Sequence, residues 1–447
     1  MKRIFYILIA VLVAACADDD NFSTSSSLRL SFSTDTVSLD TVFSRTPSST
    51  YTFWVRNNND DGLRIADVHL NRRNQTGFRV NVDGSYLDNT LGSQVSDIEI
   101  RRNDSILVFV ELTSAEVSQP EPALIEDDLV FALESGLQQK VNLRAWTWDA
   151  EKLYDPLITG QQLIDSPTPI IIYGTMTIAE GASLTLRNTT LYFHDKAGIE
   201  VFGSLTVENS LLRGDRLDRM FSYLPYDRVS GQWGGVHFFQ SSSGGSFTGS
   251  EIRNACDAVV VDSAALDTTR VRLSMNNCIV HNAKGYGLRA VNSYVSLVDC
   301  QFSNTLGDCV SLVGGVADIS HCTLAQFYPF SAERGAALRF TNYLGSADIP
   351  LLRLSCTSSI LTGYDEDVMM GGVRDTVVAF EYHFHNTLLR TPKVTTSDSI
   401  RFENIIWESP KDSIQGKKHF VKVDEENLDY DFHLDSLSTA LGLGCYY

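Results

Sequence analysis

From Leu28 to Trp148 apolar and polar side chains alternate in short runs, among them Tyr51-Thr52-Phe53-Trp54-Val55, Phe78-Arg79-Val80-Asn81-Val82 and Ile106 to Val110. A period of two puts one face of each run in a core and the other in water, as in half-buried strands. Asn57 to Gly62 and Asp83-Gly84 supply tight turns between them. The pattern predicts an Ig-like antiparallel β-sandwich of about seven strands over 28–148. No catalytic constellation shows in it.

Asp155-Pro156 and Pro167-Thr168-Pro169 mark 149–169 as a linker. Beyond it the rhythm changes to short apolar triplets separated by Gly, Asn or Ser, such as Met176-Thr177-Ile178, Leu184-Thr185-Leu186 and Leu205-Thr206-Val207. Each triplet turns two side chains in and one out, and no stretch between them is long enough for a crossover helix. The chain therefore winds round an axis. Cys278-Ile279-Val280-His281-Asn282, Cys300-Gln301-Phe302-Ser303-Asn304 and Cys322-Thr323-Leu324-Ala325-Gln326 repeat every 22 residues, and Ser250 to Asn254 is the same unit 28 residues before Cys278. A fixed period in this range is the signature of a solenoid. The expected fold class is all-β: the sandwich, then a right-handed, single-stranded parallel β-helix over 170–376 with about seven to nine coils. Residues 377–447 are expected to form closing β coils and a cap.

Stacked repeats predict two structural ladders. Asn254, Asn282 and Asn304 should meet at one corner, where amides bond one another and turn backbone that lacks a ladder partner; Gln326 breaks the run. Cys278, Cys300 and Cys322 should stack as buried thiols. Residues in register have parallel Cβ vectors nearly 5 Å apart, whereas a disulfide brings Cβ atoms to about 3.8 Å and turns them together.

Residues 1–15, with Lys2 and Arg3 ahead of the apolar run Ile4 to Val13, read as a signal peptide, because ten apolar residues are too few for a transmembrane helix of roughly 20. Val13-Ala14-Ala15-Cys16 has the form of a lipobox, which makes Cys16 the expected lipidation site and its lipid the link to a membrane. Residues 16–27, opening with Ala17-Asp18-Asp19-Asp20, read as a flexible tether. The formal net charge of -19 excludes the basic, counterion-displacing surface that nucleic-acid binding needs.

Three stretches carry a resemblance: Gly174 to Leu186, Ala197 to Val207, and Gln232-Trp233-Gly234-Gly235-Val236-His237-Phe238. They are similar to the right-handed parallel β-helix lipoproteins of Bacteroidota, as are Arg213 to Asp218 with Pro225-Tyr226-Asp227, His321 to Leu324, and Asp431-Phe432-His433-Leu434. The resemblance implies an outer-membrane lipoprotein; with the acidic triplet behind Cys16 it implies display on the cell exterior. It implies no activity, since most members have none assigned.

The largest break in the coil rhythm is Gly214 to Gln232, which holds Arg216, Arg219, Tyr223, Tyr226, Asp227 and Arg228 and leads into Trp233. Long loops on rigid scaffolds carry recognition, and aromatics with arginine suit sugar rings and carboxylates. These seven residues are the candidate ligand site, against the alternative that they pair with one another over an apolar coil face. Asp365, Glu366 and Asp367 are a weak candidate for calcium, with a solvated loop as the alternative. The Gly-His-Gly and Arg-x-Lys motifs of the pectin hydrolases do not occur. No cofactor and no catalytic residue is assigned. The expected function is a surface-held, non-catalytic binding or adhesion scaffold, with a polysaccharide or an envelope protein as partner. A polysaccharide lyase or glycoside hydrolase with a non-standard site, and a purely structural envelope protein, are the alternatives.

Overall fold

The computed structural model describes residues 21–221 and 225–446. Cys16 and Tyr223 lie outside them. The chain divides into two units: Met1–Asp149 with Asp218–Tyr223, and Ala150–Leu217 with Leu224–Tyr447.

In the first unit, the described strands form two five-stranded sheets. One orders Ser31–Phe32, Tyr51–Asn57, Asp104–Leu112, Phe78–Val82 and Ser85–Tyr86. The other orders Thr36–Phe43, Gln138–Trp148, Ala123–Leu133, Leu63–Leu70 and Gln94–Ile100. Alternation does what it predicts: Phe53, Val55, Val80, Val82, Val108 and Val110 share a buried core, while the residues between them face outward. Two details differ from the sequence reading. There are more strands than the pattern showed, because two-residue strands carry no readable period. Thr36–Phe43 also pairs with Gln138–Trp148 in parallel, which alternation cannot distinguish from antiparallel pairing.

The second unit is a right-handed parallel β-helix. Its described strands stack into three parallel sheets of 11, 9 and 10 strands, here sheets I, II and III, beginning with Glu151–Tyr154, Leu157–Ile158 and Gln161–Asp165. Those first three strands occupy the stretch expected to be a linker. Asp155-Pro156 and Pro167 to Pro169 make corners of the first coil, where a missing N–H breaks no ladder bond. Inward side chains such as Leu191, Leu212, Ile252, Val280, Phe302 and Leu324 stack in line down the axis and are buried.

The corner from sheet III to sheet I recurs as a left-handed residue followed by a hydroxyl or thiol. Asn209, Asn277 and Asp299, with φ of 47°, 50° and 52°, take the conformation that Asn and Asp tolerate best after Gly. Ser210, Cys278, Cys300, Cys322 and Ser359 follow such residues, and each donates to the carbonyl two residues back. The three cysteines are thus buried rungs of a longer Ser/Cys/Thr ladder, and all cysteines of the described residues are free thiols.

The cap expectation is corrected. Strands from Phe380–His385 to Ile406–Trp407 continue the coils, but residues 408–446 then run back over the outer face of sheet I. Phe420 and Phe432, on the hairpin Phe420–Asp424/Asp429–Leu434, pack with Ala325, Phe327, Ile360 and Leu388. Tyr446 donates to Gln301 at 2.8 Å, and the Cys445 N–H to Thr323 at 3.2 Å. The outward residues there are apolar or uncharged, so this side of the solenoid needs cover.

Candidate functional site

Asn254, Asn282 and Asn304 all have left-handed φ and are buried at the corner where sheet I ends. Asn282 Nδ2 donates to Asn254 Oδ1 at 2.9 Å and to the Arg228 carbonyl at 2.7 Å, and Asn254 Nδ2 donates to the Asp227 carbonyl at 2.8 Å. Asn304 shares the corner but its carboxamide does not bond the other two, so the expected three-rung ladder has two joined rungs, Asn254 and Asn282, and these hold the 214–232 insertion by its backbone. Gln326, where the asparagine run breaks, is buried and donates to the Gly307 carbonyl at 2.9 Å.

Two of the insertion's candidate residues, Asp227 and Arg228, are committed to this attachment. Asp227 pairs with Arg213 at 2.8 Å, both nearly buried. Arg228 donates to the carbonyls of Asn427 and Leu428 in the folded-back segment. Trp233, expected to face a ligand, is instead fully buried in the solenoid interior, stacked on Phe193 at 4.2 Å with its indole N–H on the Arg253 carbonyl, because the interior is where its ring finds apolar partners. Arg219 belongs to the first unit, where its N–H donates to Asp40. Arg216 and Tyr226 remain together on the second unit, the guanidinium 3.6 Å from the ring centroid.

Arg216 follows a column that the sequence reading missed. Tyr154, Tyr173, His194 and Asp215 occupy one register position on four successive coils, at the exit of sheet I. Tyr154 stacks on Tyr173 with centroids 4.9 Å apart, and Tyr173 meets His194 at 4.7 Å. His194 Nδ1 lies 2.7 Å from Asp215 Oδ2. Tyr154 is 68% exposed and His194 is exposed, whereas Asp215 is enclosed and burial pushes its carboxyl above the usual range despite the histidine beside it. The result is a column about 14 Å long, three strand spacings of roughly 4.8 Å, in which three successive rings lead to a carboxyl beside a guanidinium and the Tyr226 ring. The rings turn their faces to one another, so the column presents ring edges, tyrosine hydroxyls and the imidazole as apolar contacts, donors and acceptors for a hydroxyl-rich ligand such as a saccharide.

The acidic triplet does not assemble a metal site. Asp365 and Glu366 are exposed, and Asp367 accepts from Thr391 at 2.6 Å and from the Met369 N–H. No group of three His, Cys, Asp or Glu side chains that could hold a metal ion occurs among the described residues. Three consecutive residues on one loop cannot surround an ion without help from another segment.

Residues 171–324 match the family described as right handed beta helix region. That match falls within the coiled unit. Among solved structures, the chain is similar to the catalytic unit of the thermostable GH87 alpha-1,3-glucanase from Streptomyces thermodiastaticus strain HF3-3, at 11% identity over 81% of this chain and 89% of that one, with a TM-score of 0.30. A likeness this loose does not bear on activity. A search of curated proteins returns no match.

Proposed function

We propose that this protein is a lipoprotein of the Bacteroidota type, held by a lipid on Cys16 at the outer face of the outer membrane, whose coiled unit captures a glycan without turning it over. The observation that carries the binding role is the column Tyr154–Tyr173–His194, exposed at Tyr154 and His194 and half-buried at Tyr173, running in register beside Arg216 and Tyr226. A fixed row of rings binds at low entropic cost, because its side chains are already ordered by stacking. Removal of residues 1–15 takes two positive charges and leaves -21, so the lipid, not charge, would keep the chain at an anionic surface.

One observation favours a second reading. A carboxyl whose proton affinity is raised by burial and which touches a histidine has the character of a general acid, so Asp215 would be the residue to carry hydrolysis or elimination. A glycan array and a reducing-end and unsaturated-product assay on the form lacking residues 1–27 test both. Tyr154→Ala with Tyr173→Ala should lower capture at least tenfold; unchanged capture removes the binding site. Product formation that Asp215→Asn abolishes would establish the enzyme. Cys16→Ala should release the chain from the membrane fraction, and retention would remove the lipid attachment.

A further inference from the structure

We infer that the first unit carries a second saccharide platform, on the outer face of the sheet that contains Tyr51–Asn57 and Asp104–Leu112, and that its ligand is an uncharged oligosaccharide. Cross-strand pairing sets Thr52 opposite Phe109, Phe109 opposite Asn81 and Asn81 opposite Tyr86, which makes one row across four strands. Trp54 stands opposite Leu107 one step along the same face. Trp54, Phe109 and Tyr86 are 44%, 37% and 48% exposed. Phe109, Tyr86, Asn81, Arg79 and Glu111 line a cleft of about 240 Å³.

The fold does not need these rings. Strand formation requires the inward residues Phe53, Val55, Val108 and Val110, and the outward positions of the same strands are served equally well by residues such as Thr52. Three exposed aromatics on one face therefore add an apolar surface rimmed by polar groups, which marks a contact site. The chemistry of the rim selects the ligand. Asn81 uses its side-chain oxygen on the Gly84 N–H at 2.9 Å, which leaves its NH2 to donate to a hydroxyl. Arg79 and Glu111, which line the cleft, are paired at 2.9 Å, so the charges cancel around Phe109 and Tyr86, while Arg56, opposite Ser105, is an exposed cation at the Trp54 end of the same face. An overall charge of -19 further disfavours an acidic polymer. Four strands span about 14 Å, the reach of a short oligosaccharide lying across them.

This site does not rest on the coil column, and the two are separable. Isothermal titration of the form lacking residues 1–27 with xylohexaose, cellohexaose, mannohexaose and laminarihexaose, and with an oligogalacturonate of equal length as the acidic control, is carried out in a Tyr154→Ala/Tyr173→Ala background. At least one neutral hexasaccharide should bind, and Trp54→Ala with Phe109→Ala should weaken it at least tenfold. Thr52→Arg, at an exposed position, should block the row without touching the core and serves if the double variant does not fold. Absence of neutral binding, a preference for oligogalacturonate, or affinity unchanged by both variants overturns the proposal. Sedimentation velocity adds a further arm: self-association that Trp54→Ala/Phe109→Ala abolishes would assign the face to a second copy of the chain and overturn it as well.

Discussion

The amide of Asn282 donates both to the side-chain oxygen of Asn254, one coil earlier, and to the main-chain carbonyl of Arg228. One side chain thus couples two coils to the insertion that lies over them. Replacing it with alanine leaves a buried carbonyl and a buried carboxamide oxygen without their donor. Asn282→Ala should cost about 1–3 kcal/mol in equilibrium denaturation, and hydrogen exchange should show faster opening of 225–230 than of the neighbouring strands. Equal protection of 225–230 in the wild type and in Asn282→Ala would remove the coupling.

The thiol ladder makes a prediction about chemistry and another about substitution. Burial pushes Cys309 and Cys356 up to about 12; for Cys300 the direction is the same and burial is again the leading cause. Cys256 is exposed. A thiol reagent in native buffer should label Cys256 first and reach Cys278, Cys300 and Cys322 only on unfolding. Since Ser250 and Ser359 hold equivalent rungs through the same hydrogen bond, Cys300→Ser should be mild, whereas Cys300→Leu should cost about 1–3 kcal/mol by overpacking. A thermal melt of each variant distinguishes them.

The folded-back segment is held by a buried ionic knot. Glu408 pairs with Arg390, accepts from the Gly416 N–H at 2.8 Å and from Thr362 at 2.9 Å, and lies 3.2 Å from His419, which in turn meets Ser438 at 2.9 Å. Burial alone would raise the Glu408 carboxyl, but His419, Arg390 and the Gly416 N–H outweigh it and lower it. A lowered carboxyl contributes stability that is present above its ordinary range and is lost as pH falls through the folded value. Glu408→Ala should cost about 3–5 kcal/mol, because it strands Arg390 in a buried site, and should expose 420–434 to limited proteolysis. Acidification of the wild type should do the same, and indifference of that segment to acid would contradict the account.

His281 titrates in the same sense for a different reason. Burial, reinforced by Arg253 and Arg228, pushes it down to about 3 from 6.5, so it is neutral against Tyr430, with Ser303 at 2.8 Å. The unfolded chain takes up a proton that the folded chain refuses, so stability is full above about 6.5 and declines as pH falls toward 3. His281→Gln should flatten that part of the stability profile, measured by denaturant midpoint at several pH values. An unchanged slope would mean that another group carries it.

Periodicity alone determined a great deal here. Alternation in Tyr51 to Val55 and Phe78 to Val82 identified the sandwich strands and their inward side. The 22-residue spacing of Cys278, Cys300 and Cys322 identified the coil and its buried rungs, because equal spacing forces like residues into register. The tertiary structure decided what unlike residue types concealed. Tyr154, Tyr173, His194 and Asp215 follow one another at 19, 21 and 21 residues and meet because each coil returns the chain to one position, yet a Tyr, Tyr, His, Asp series forms no motif in sequence. Trp233 looked like a ligand residue beside a polar loop, yet the following strand turns it inward. The return of residues 408–446 along sheet I was equally invisible, since it depends on which outward positions, many coils earlier, are too apolar to face water. Local pattern dictates which way a side chain points; which distant segment it meets is set by the summed lengths of the turns between.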